Sequence, residues 1–129
     1  MVEAALVLLV FILLFLGLSD VARMVFAYNE MPYLAREGAR YAAVHGASSS
    51  APLKCGNVID HVRTMAAGVD SSLLTISVNG QTSSGSATAL GAAPDSATVV
   101  ATYRLNPIFN KLLGSATNVS GRSIMPYTQ

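Results

Sequence analysis

Polar side chains are missing from one end of the chain. Residues 4–18 carry nothing but apolar side chains and Gly17, with Glu3 just before them and Ser19 just after. Val21, Ala22, Met24, Val25, Phe26 and Ala27 extend the apolar character, so the stretch reaches the roughly 20 residues that cross a hydrocarbon core of about 30 Å. In lipid only a helix or a closed barrel satisfies its own backbone, and a single segment cannot close a barrel. The pattern therefore predicts a membrane-spanning helix. A cleaved signal peptide would show a small-residue processing site after the apolar run. Here Asp20, Val21, Ala22 and Arg23 lead instead into more helix.

Helical periodicity continues to about His45. Ala35, Ala39 and Ala43 recur every four residues with Gly38 and Ala42 beside them, a small-residue stripe that lets another backbone approach closely. Two partners suit it, neighbouring helices in an assembly or the chain's own head. Gly17 is the corresponding small position inside the apolar run. Asp20 with Arg23 and Glu37 with Arg40 have the three-residue spacing of neighbours on a helix surface. Pro32 cannot donate to the carbonyl of Tyr28, which predicts a kink or a locally opened turn over residues 28–32.

From residue 46 the pattern changes. Gly46 to Pro52 is a break rich in serine and alanine, with Gly46 suited to cap the long helix and Pro52 to stop it. Residues 56–67 place Val58, Ile59, Val62, Met65 and Ala66 at spacings of three and four, predicting a short amphipathic helix with Asn57 near its start and Gly68 after its end. Leu74, Ile76 and Val78 then alternate with polar residues up to Asn79-Gly80, a strand followed by a turn. Residues 98–104 are rich in β-branched and aromatic side chains, and 119–125 form a weaker third strand. The residues between the first two strands are small and turn-forming, which predicts an exposed loop. The expected architecture is α+β: a long helix over 1–46, and over 47–129 a small head with one short helix and an antiparallel sheet of about three strands.

Composition sharpens this picture. Only 12% of the 129 residues are charged, about half the share usual in soluble domains. The net charge is +1 with the basic residues spread singly, which argues against nucleic acid as a partner. No Lys or Arg precedes the apolar run, whereas Arg23, Arg36 and Arg40 follow it. Taken literally, the positive-inside rule would leave the head in the cytoplasm. A short basic leader, removed during maturation, would reverse that orientation. Glu3 is an ionisable group at the edge of lipid and must snorkel, take a proton or find a cation. In an array of parallel, staggered helices the cation would be the N-terminal amine of the next copy.

Catalytic and metal-binding patterns are not evident. Cys55 is the single cysteine, so it reads as a buried apolar side chain or as a link between two chains. His61 lies six residues from it across a linker, too loosely placed to argue a nucleophile and base. His45 and His61 are the only histidines and carry no metal-ligand spacing. Asn118-Val119-Ser120 matches the glycosylation triplet, a pattern too short to carry an argument. No catalytic residue, cofactor or metal site is expected.

The opening residues 2–15, Ala27-Tyr28-Asn29 and the Ala-Arg-Glu-Gly-Ala-Arg block at 35–40 resemble the TadE-like family of pilins and pseudopilins. The strand ending in Tyr103, with Pro107 after it, is similar to the family's later pattern. The resemblance implies a structural subunit of a cell-surface pilus, held in the inner membrane by its helix and then packed into the filament core. By the same analogy its partners are copies of itself or related pilins, an inner-membrane assembly platform and a prepilin peptidase, with membrane lipid around it before assembly. Glu3 corresponds to the family's N-terminal glutamate. Two alternatives stand beside this reading, a membrane-anchored minor pseudopilin and a periplasm-facing binding module that does not polymerise.

Overall fold

A computed structural model describes residues 2–45, 54–82, 96–106 and 117–127. Five elements follow one another: α1 (Val2–Val44), α2 (Cys55–Met65), β1 (Leu74–Val78), β2 (Ser96–Leu105) and β3 (Thr117–Pro126). The α+β architecture expected from the periodicities is the one observed, with a long apolar helix, a short helix and three antiparallel strands in the order β1-β2-β3. Gly46, Pro52, most of the loop before β2 and Pro107 lie outside the described residues.

The alternating residues of β1 explain its registration. Leu74, Ile76 and Val78 face inward and are buried. They stand opposite Tyr103, Ala101 and Val99 of β2, so a slip of one residue would turn all three into water. The Asn79-Gly80 turn forms as predicted. Both residues adopt positive φ, 49° and 83°, and Val78 and Gln81 exchange backbone hydrogen bonds of 2.8 and 2.9 Å across it, the mark of a two-residue turn matched to strand twist. Asn79 also accepts a hydrogen bond through Oδ1 from the Thr98 N–H at 2.8 Å, tying the turn to the start of β2. β2 and β3 pair along their whole length, from Ser96 opposite Pro126 to Leu105 opposite Thr117.

Boundaries depart from the sequence reading at α2. Lys54, not Asn57, is the residue before the helix, and it caps no N–H with its side chain. Burial of Cys55 and Gly56 against the core draws the first turn inward past the polar residue that suggested the start. Gly68, with φ 79°, lies just beyond the helix end, where positive φ favours glycine.

The core is a sandwich one sheet and two helices thick. The inner sheet face supplies Ile76, Val78, Val99 and Ala101, α2 supplies Val58, Ile59 and Val62, and α1 closes it with Met31, Leu34, Ala35, Ala39 and Ala42. Fully burying a residue of Leu, Ile or Met size contributes about 1.5–3 kcal/mol, so this small set must seal well. Glycines permit the close approach. A Cβ on Gly38 would lie 2.6 Å from Cγ2 of Val62 and 3.1 Å from Cγ1 of Val99, and one on Gly121 of β3 would overlap the backbone of Met31 and Pro32. α1 remains helical through Pro32, the point at which β3 crosses it.

Candidate membrane and assembly helix

α1 is one helix of 43 residues with two different environments. Its C-terminal part is held by the head: Ala27, Met31, Leu34, Ala35, Gly38, Ala39, Ala42 and Ala43 are buried. Their spacing of three and four residues is a single stripe, and it is continuous with the core. The N-terminal part meets nothing of the chain. Its most apolar 18-residue window has a mean hydropathy of 2.7 and is 0% buried. Val7, Phe11 and Phe15 each expose more than 60% of their surface. Exposed apolar area of this extent marks a surface meant for lipid or for other protein.

The residues singled out from the sequence divide along the same line. Ala35, Gly38, Ala39, Ala42 and Ala43 are occupied by the chain's own head, the second of the two partners the stripe could have had. With Ala35, Ala39 and Ala42 at 0% exposure, no surface of these three is left for a neighbouring helix while the head stays docked. Glu3 and Gly17 lie instead on the uncovered half. Glu3 is exposed, and a Cβ at Gly17 would meet no atom within 4 Å, so Gly17 makes no close packing inside the monomer. Pro32 lies within the covered half, next to Met31 and against Gly121.

Cys55 and His61 are not brought together as a working pair. The Cys55 side chain is 1% exposed, and burial pushes its thiol above the ordinary range, outweighing a lowering backbone hydrogen bond. A buried, protonated thiol is a poor nucleophile. His61 lies flat on Tyr41 of α1, ring centroids 3.9 Å apart and planes at 16°. His45 approaches the same ring at 4.5 Å and its Nδ1 donates to the Tyr41 carbonyl at 3.0 Å. The two histidines thus pack about one tyrosine and help pin α2 to the end of α1. No group of three or more His, Cys, Asp or Glu placed to hold a metal occurs among the described residues.

Two features went unread in the sequence. One is Gly121, although an isolated glycine inside a strand is a recognised sign of close backbone approach. The other is a pair of hollows under the head. The larger, about 620 Å³, lies between Ser19–Ala27 of α1, the connection from Gly68 to Leu73, and the end of β2 at Tyr103 to Asn106. The smaller, about 140 Å³, adjoins Val21, Met24 and Thr117. Arg23 lines both, four residues before Ala27 on the stripe that the head covers.

No curated protein and no solved structure matches the chain. A family comparison does find a match, and it falls on the helix just described, including its bare half and most of the stripe beneath the head: residues 1–40 match the family described as TadE-like protein.

Proposed function

We propose that this chain is a structural, non-catalytic pilin-like subunit that resides in the inner membrane through α1 and then assembles through the same helix into a cell-surface filament. The observation that carries the reading is the uncovered apolar window next to a helical half sealed by its own head. Such a helix is a rigid stem whose outer end has no partner within the chain. Lipid serves as that partner before assembly, and the apolar helices of other copies serve after it. The match to the TadE-like family over residues 1–40 supports a pilus-related role. On this reading the head sets which face of α1 is presented, because it occupies the small-residue stripe and leaves the other faces for neighbours. By family analogy, a prepilin peptidase and an inner-membrane assembly platform would act on the subunit.

The test is electron microscopy of filaments sheared from cells, with mass spectrometry of their dominant subunit. Recovery of this chain as the repeating component supports the filament subunit. Recovery in the membrane fraction alone, with filaments lacking it, refutes polymerisation and favours the anchored pseudopilin or binding module.

A further inference from the structure

Glu3 is the only charged residue in residues 1–19, and Arg23 is the only Lys or Arg in residues 1–35. Twenty residues of helix separate them, a rise of about 30 Å, which is about the thickness of a bilayer's hydrocarbon core. With Glu3 at one boundary of that core, Arg23 comes to the other, directly beneath the head. There it lines the hollow of about 620 Å³, a size within the usual range for small-molecule sites.

The lining of that hollow is mixed. Ala22 and Phe26 of α1 and Leu73 and Leu105 of the head are apolar, and Arg23 and Asp70 are its two charged residues. The Asp70 carboxyl is held below its ordinary range by hydrogen bonds from the Ser72 hydroxyl and N–H, at 2.7 and 2.9 Å, so it is an anion at neutral pH. One cation and one anion in a single cleft, beside apolar walls and at the level of the headgroups, complement a ligand that is itself zwitterionic and carries an acyl chain.

We propose that this hollow binds a phospholipid with a primary-amine zwitterionic headgroup, phosphatidylethanolamine in chemical class. Its phosphate pairs with Arg23, its ammonium with Asp70, and the first acyl carbons lie along Ala22, on the membrane side of Arg23. The guanidinium offers a fork of donors matched to phosphate oxygens, and the primary ammonium can donate to a carboxylate where a quaternary choline cannot. The bound lipid fills the space between stem and head while the subunit is in the membrane. The inference rests on the membrane-resident part of the proposed function.

The full chain is reconstituted into vesicles containing equal parts of phosphatidylethanolamine, phosphatidylcholine and phosphatidylglycerol. Its incorporation is checked by flotation, and lipids retained after extraction in mild detergent are counted by native mass spectrometry. Phosphatidylethanolamine should be enriched roughly two- to fivefold over the other two, the range of an exposed ion pair. Arg23→Gln should lower phospholipid retention severalfold, and Asp70→Asn should keep lipid bound while erasing the preference over phosphatidylglycerol. Retention in the proportions of the vesicle, enrichment of phosphatidylglycerol, or retention unchanged by Arg23→Gln would each overturn the assignment with the membrane reading intact. A chain that does not float with the vesicles overturns the membrane reading itself, and the lipid site with it.

Discussion

Gly121→Ala tests the way the head grips the helix. Gly121 is not at positive φ, so alanine could adopt its backbone without strain, and the change alone would stabilise the strand by about 0.5–1 kcal/mol through the lower entropy of the unfolded chain. Against this, the added methyl would overlap the backbone carbonyl and nitrogen at Met31 and Pro32, atoms that no rotamer change can move. β3 and α1 must separate by about 1 Å to restore ordinary carbon contact near 3.5 Å, and a gap of that width forfeits a quarter to a half of each dispersion contact across it. Met31 at 0% exposure and Val119 at 7% lie in that seam. Overpacking of this kind costs about 1–3 kcal/mol, and because the obstruction is backbone the upper end applies. A net loss of about 2 kcal/mol lowers the melting temperature of a domain of this size by about 8–16 °C.

The assay is thermal unfolding of the full chain in detergent, followed by circular dichroism, with two glycines for comparison. Gly38→Ala meets the side chains of Val62 and Val99, which can yield, and it gains helix propensity of about 1 kcal/mol. Its melting temperature should fall by less than that of Gly121→Ala. Gly17→Ala meets nothing and should not lower the melting temperature. If Gly121→Ala melts within a degree or two of the parent chain, or if the order of Gly121 and Gly38 reverses, the close crossing of β3 over Met31-Pro32 is wrong.

Three further outcomes are expected. Glu3→Ala should leave membrane insertion intact and lower the yield of sheared filaments if the carboxylate sets helix register between copies; an undiminished yield removes that role. Asp70 has a depressed folded-state pKa, so the stability it contributes is present above the ordinary aspartate range near about 4 and is lost as pH falls through the lower folded value. Denaturant midpoints measured across that window should converge for Asp70→Asn and the parent at the acid end, and a constant difference at every pH would discount the Ser72 hydrogen bonds. Cys55, buried with a raised pKa, should react with a thiol reagent orders of magnitude more slowly in the folded head than in denaturant; equal rates would place its sulfur at the surface.

Much of the architecture was legible because it follows from local rules. Fifteen residues without a polar side chain admit one structure in lipid. The two-residue alternation of 74–78 admits one inward face, and Asn79-Gly80 admits a tight turn because both residues tolerate positive φ. Helix ends were less legible. Asn57 is a good cap by residue type, yet α2 begins at Cys55 because the gain from burying Cys55 and Gly56 acts across the fold and not along the chain. The site was legible in its bare half alone. Glu3, Gly17 and the apolar run announce themselves by what surrounds them in sequence, whereas the hollow at Arg23 is assembled from α1, the turn after α2 and the end of β2, segments that reach from Ser19 to Asn106 and that no local pattern connects.

The sequence alone determined that this protein has an apolar helix about one membrane thick, a small α+β head, and a first 40 residues that match the TadE-like family, since each depends on the order of neighbouring side chains. Tertiary structure decided what the small-residue stripe is for. Ala35, Gly38, Ala39 and Ala42 can serve equally against a neighbouring helix or against the chain's own sheet, because steric permission for close approach does not name the partner. Only the placement of Val62, Val99 and Gly121 against α1 assigns the stripe to the head, and by closing that face it leaves the outer helix as the uncovered apolar surface.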